Sequence, residues 1–154
     1  MNKNKLLENL KIAFTELYKS DLLLIKNETS ERAILWCLKW YLKELSEFKK
    51  FDIDIEYNRE WTWNNSKRNE INKSTTADLL IHTRENTKIW NLLYLEAKTF
   101  YNINDRDKKE DINTIKYFIS KFNYSYGMFI CFFLDKVEYT LFYDQESEEW
   151  FLNI

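Results

Sequence analysis

The sequence predicts an α/β domain with a mixed central sheet of four to five strands flanked by helices, two of which precede the first strand. Apolar spacing follows a period near 3.6 until about residue 48 and then switches to the strand period of 2. The resulting element order is α-α-β-β-β-α-β-β. The chain has 154 residues, 45% of them apolar and 18% aromatic, which is the composition of one globular domain with a sizeable core.

The first helix is predicted by Leu6, Leu7, Leu10, Phe14 and Leu17 within residues 3–19, and residues 1–25 read as an N-terminal helical extension of a single domain spanning 1–154. The second runs from Ser30 to about Phe48 through Ile34, Leu35, Leu38, Tyr41, Leu42 and Leu45. "FDIDIEYNRE" then alternates, with Phe51, Ile53, Ile55 and Tyr57 opposed to Asp52, Asp54, Glu56 and Asn58. The polar stretch 64–75 reads as a loop or hairpin tip. "ADLLIH" and "IWNLLYLEAK" give two more strands, "DKKEDINTIKYFISKF" a third helix, and "YGMFICFFL" and "EYTLFYD" two closing strands, with a short further strand at Trp150 to Leu152.

Several function classes are disfavoured. There is no proline and one glycine, Gly127, so the chain has no Gly-rich phosphate loop and no dinucleotide fingerprint. Cys37 and Cys131 are far apart and flanked by apolar residues, as small core residues of a reducing compartment are. The longest apolar runs are too short to span a bilayer, which predicts a cytoplasmic protein without a membrane partner. Net charge is −2, so any contact with nucleic acid must use a local patch.

The chemistry-bearing stretch is "NLLYLEAK". Glu96 and Lys98 are two residues apart on a predicted strand and therefore share a face. Asp78 opens "ADLLIH" and meets them if the two strands pair. Two carboxylates supply hard oxygen ligands for Mg²⁺, and a lysine can position a water and offset charge on a phosphate.

"ADLLIH" followed by "LEAK" resembles the PD-(D/E)XK nuclease superfamily, with Ala77 where the family's name places proline. "SERAILWCL", "IDIEYNRE" and "NLLYLEAK" extend the resemblance to a small branch of that superfamily, over residues 30 to about 134. The resemblance implies a restriction-endonuclease-like core and a Mg²⁺-dependent endonuclease acting on DNA rather than RNA, with Mn²⁺ able to substitute. It implies Asp78 and Glu96 as metal ligands, the Ala97 carbonyl as a backbone ligand, and Lys98 as the catalytic lysine. Glu31, an acid on the apolar stripe of the second helix, is implied as a further acid beside the metal; its bland role is to complement the helix dipole.

Arg59, Lys67, Arg68 and Lys73 are the candidate nucleic-acid contacts, with Trp61 and Trp63 read first as core or edge residues. His82 shares Asp78's strand parity but lies about 13 Å along the strand, too remote for the same metal. Asp111 and Lys116 read as solvated. A homodimer or a larger protein assembly is compatible with this reading. Two alternatives stand beside it: a catalytically silent nuclease-like module that binds nucleic acid or protein in a defence or mobile-element system, and a surface ion-pair cluster on an unrelated α/β domain.

Overall fold

The computed structural model describes residues 1–57, 76–83, 91–143 and 146–153. Helix α1 (Lys3–Lys26) starts at Asn2, whose side chain accepts from the Lys5 amide, the usual way a helix satisfies a free N–H. Helix α2 (Glu31–Glu44) is capped by Ser30. It stops four residues before the predicted end, because Leu45 is extended and residues Ser46–Phe48 form a separate 3₁₀ turn. The apolar positions 42, 45 and 48 are three apart, a spacing that fits either kind of helix, so the break is invisible in the pattern.

Among the described residues, β1 (Asp52–Tyr57), β2 (Ala77–His82), β3 (Asn91–Thr99), β4 (Tyr126–Phe132), β5 (Lys136–Tyr143) and β6 (Glu146–Asn153) form one sheet in the order β1-β2-β3-β4-β5-β6. Only the β3–β4 pair is parallel, and helix α3 (Asp105–Phe122) makes the connection that a parallel pair requires. The α/β class stands, but six strands replace the predicted four to five. The last is eight residues long, and its acidic first half, Glu146, Glu148 and Glu149, conceals its strand character.

Strand parity divides the side chains between two layers. Leu79, Ile81, Leu93, Leu95, Met128 and Ile130 pack with Leu6, Leu10, Phe14 and Leu17 of α1 and Ile34, Leu35 and Leu38 of α2. Phe14 meets Phe132 edge-on at 6.3 Å, so α1 is sealed into the main core. Leu80, Tyr94, Phe129 and Phe142 face the other way, onto Ile115 and Phe118 of α3, where the Tyr94 and Phe118 rings stack at 4.9 Å. No helix among the described residues is long and apolar enough to cross a membrane.

Gly127 lies on β4 directly beneath Ile115 and Ile119 of α3. A Cβ there would stand 2.3 Å from Ile115 Cγ2 and 2.3 Å from Ile119 Cδ1, inside the contact distance of any carbon pair. Gly127→Ala is therefore expected to destabilise the fold by about 1–3 kcal/mol through overpacking, as measured by urea denaturation. Wild-type stability in that variant would contradict the close packing of α3 on β4.

Candidate functional site

The site forms where β2 has ended and β3 continues. The β2–β3 register pairs Leu79 with Leu95, so one step further places Asp78 opposite Glu96, and Lys98 and Thr99 extend past the start of β2. Among the described residues their strand neighbour is β4, on which Lys98 pairs with Cys131 and Thr99 with Phe132. The amides of Ala97, just past the last β2–β3 pair, and of Thr99, beyond the start of β2, point to the β2 side, and buried amides require acceptors. Side-chain carboxylates supply them: Asp78 Oδ2 accepts from the Ala97 amide at 2.8 Å, and Glu31 Oε1 accepts from the Thr99 amide at 3.3 Å.

Glu31 reaches this point because α2 begins there, at its Ser30 cap. Asp78, Glu96 and Lys98 share the sheet face that carries Leu80 and Tyr94, the face covered by α3. Glu96 is buried, at 6% exposure, and accepts a 2.6 Å hydrogen bond from the Tyr94 hydroxyl. The Asp78 and Glu96 carboxyl groups lie within hydrogen-bonding reach of each other. Lys98 Nζ hydrogen-bonds the Ala97 carbonyl at 3.3 Å and lies 3.1 Å from Asp111 Oδ2 of α3.

Asp111 therefore departs from its expected place in solvent. Its side chain is 22% exposed, because position 111 falls on the same α3 face as the buried Ile115. Lys116 is exposed, over the Phe142 ring at 5.3 Å. His82 lies at the other end of β2, with Nε2 2.8 Å from Asp54 Oδ2 and its ring 5.5 Å from that of Tyr57. Arg59, Lys67, Arg68, Lys73, Trp61 and Trp63 lie outside the described residues. Tyr94 and Asp111 are the members that sequence reasoning missed; Tyr94 shares Glu96's strand parity, whereas no local pattern ties Asp111 to Lys98.

The electrostatics are those of four acids around one ammonium. Burial, reinforced by the charge of Asp78, holds the Glu96 carboxyl well above the usual range. Burial also raises Asp78 against the opposing Ala97 amide, and raises Glu31 and Asp111 against the opposing charge of Lys98. For Lys98 itself, burial acts downward but is outweighed by Asp111, Glu31 and Asp78, so the ammonium sits above its ordinary value. Lys98 thus carries its proton at neutral pH and can act as a donor and counter-charge, not as a base. Beside it, burial pushes the Cys131 thiol up to about 12, so it stays neutral.

Two buried carboxyls and a backbone carbonyl form a hard oxygen set of the kind that takes Mg²⁺, and a cation would offset the burial that raises both acids and the charge of Asp78 that raises Glu96 further. The donor chemistry fits the ion, although no group of three or more His, Cys, Asp or Glu side chains among the described residues is arranged to hold a metal. The cluster is also not a solvated surface ion pair, since Glu96 is shielded and Lys98 is only 18% exposed.

The raised acids make the metal-free fold pH-sensitive. A carboxyl whose folded-state pKa exceeds its unfolded value stabilises the fold below the ordinary carboxylate range, and this contribution is lost as pH rises through the folded value. Lys98 is also raised, but its contribution persists to its ordinary value of 10.5 and leaves the neutral window unchanged. Glu96→Gln is expected to stabilise the metal-free protein at pH 7 by on the order of 1 kcal/mol and to flatten the fall in stability as pH rises above the ordinary carboxylate range, read by urea denaturation. A less stable variant with an unchanged pH profile would mean that Glu96 is well satisfied as an anion. The chain matches no family model, no curated protein and no solved structure.

Proposed function

We propose that this chain is a metal-dependent phosphodiesterase of PD-(D/E)XK type that cleaves DNA. The observation that carries the reading is the convergence of the Asp78 and Glu96 carboxyls on one face of the sheet, with the protonated Lys98 beside them. Asp78, Glu96 and the Ala97 carbonyl are the donors that would hold Mg²⁺, with Mn²⁺ as a substitute. When bound, the ion supplies Lewis-acid polarisation and charge neutralisation at the scissile phosphate.

Lys98 donates a hydrogen bond that orients the attacking water and offsets negative charge as the new P–O bond forms and the bond to the leaving oxygen breaks. Glu31 caps the Thr99 amide and so fixes the backbone immediately after Lys98. The burial of Glu96 against Tyr94 restricts bulk water around the reacting groups. Arg59, Lys67, Arg68 and Lys73 supply the local cationic surface that a chain of net charge −2 needs to hold a polyanion.

The second reading, a catalytically silent module docking a protein partner, is favoured by Trp36 and Trp40, which are 50% and 67% exposed one turn apart on α2. Exposed aromatic residues of this kind mark interaction surfaces.

Calorimetric metal titration beside a cleavage assay separates the readings. Asp78→Asn and Glu96→Gln are expected to lose metal affinity and cleavage together, because a neutral amide is a poorer ligand for a hard cation. Lys98→Ala is expected to keep or tighten metal binding while losing about 10²-fold or more in rate. A wild type that binds Mn²⁺ and cuts neither DNA nor RNA would favour the binding module.

The cationic surface is tested separately by binding to duplex DNA in Ca²⁺ over a range of salt. Alanine at Arg59, Lys67, Arg68 and Lys73 together is expected to lower the salt slope by roughly 0.9 for each phosphate that is no longer neutralised. An unchanged slope would remove these four residues from the interface.

A further inference from the structure

The geometry points to Asp111 as a positioning residue that holds the Lys98 ammonium at the reacting centre and off the metal ligands. The inference rests on the metal-dependent reading of the site. Lys98 Nζ stands between two oxygens, the Ala97 carbonyl at 3.3 Å and Asp111 Oδ2 at 3.1 Å. The first is a proposed metal ligand, so an ammonium settled there competes with the ion for the same lone pairs. Asp78 and Glu31 also act on Lys98, and without Asp111 they and the carbonyl are left among the attractors of the ammonium.

Nothing in the helix itself accounts for Asp111. It lies six residues beyond the first residue of α3, past the turn where an acid benefits from the helix dipole. Aspartate is also a poor helix former. Asp107, four residues earlier, acts on Asp111 unfavourably, as like charges at this spacing do. Oδ2 is shielded from solvent, and Lys98 Nζ at 3.1 Å is the cation that meets it. The close approach of Gly127 to Ile115 and Ile119 anchors α3 and with it the height of Asp111 above the sheet.

Asp111→Asn is expected to lower kcat by tenfold to a hundredfold while DNA affinity measured in Ca²⁺ stays within twofold of wild type, and Asp111→Glu is expected to recover part of the loss. In a Lys98→Ala background the Asn substitution should add no further loss. Wild-type turnover in Asp111→Asn, or losses that multiply in the double variant, would overturn the assignment. Mn²⁺ titration gives a readout independent of turnover: Asp111→Asn should weaken Mn²⁺ binding several-fold more when Lys98 is present than when it is alanine. Equal weakening in both backgrounds would overturn the assignment as well. A wild type that binds Mn²⁺ but cuts nothing defeats the nuclease reading alone, and the titration still decides the role of Asp111; a wild type that binds no Mn²⁺ defeats both.

Discussion

The overhang of β3 beyond β2 is the constraint on which the site depends. A strand that outruns its neighbour exposes amides that must still find acceptors, and here the acceptors are the Asp78 and Glu31 carboxylates. The arrangement has two effects. It completes the hydrogen bonding of the sheet at a place where the ladder stops, and it draws acids from two separate elements, β2 and α2, to the end of a third. Lys98 follows because a residue two positions after Glu96 must emerge on the same face. The cluster is thus built by backbone accounting before any ligand is considered.

Such a cluster is costly to the fold. Glu96 is buried beside another carboxyl, and among the described residues the Lys98 ammonium is surrounded by more acid than it can neutralise. Natural domains concentrate this kind of local inconsistency at functional sites, where it is offset by packing elsewhere. Here the offset comes from two apolar layers: α1 and α2 on one face of the sheet and α3, with the stacked Tyr94 and Phe118 rings, on the other. Tyr94 belongs to both accounts, since its ring is core and its hydroxyl holds Glu96.

The readable part of the fold was the part written in short-range periodicity. The switch at residue 48, the five central strands and the helix after "LEAK" all follow from spacing, and the parity of Asp78, Glu96 and Lys98 follows from the same rule. Three features did not show because their causes are not local. The end of α2 at Glu44 is set by an extended Leu45 inside an unbroken apolar rhythm. The length of β6 depends on its ladder with β5, which its acidic first half does not announce. Asp111 approaches Lys98 through the packing of α3 on the sheet; the aspartate and the lysine it meets stand on different elements, and no spacing rule links them.

The outermost strands among the described residues, β1 and β6, carry a different consequence. β1 includes Asp52, Asp54 and Glu56, and β6 includes Glu146, Glu148 and Glu149. Acidic edge strands resist the edge-to-edge pairing by which sheets polymerise, because a second copy would bring like charges together along the new ladder. Lys3 pairs with Glu148 at 2.7 Å, which ties the amino-terminal end of α1 to one of these borders. The acidic borders among the described residues make the sheet a poor template for edge-to-edge growth, whereas the helical layer on the other side of its core shows Trp36 and Trp40 to solvent.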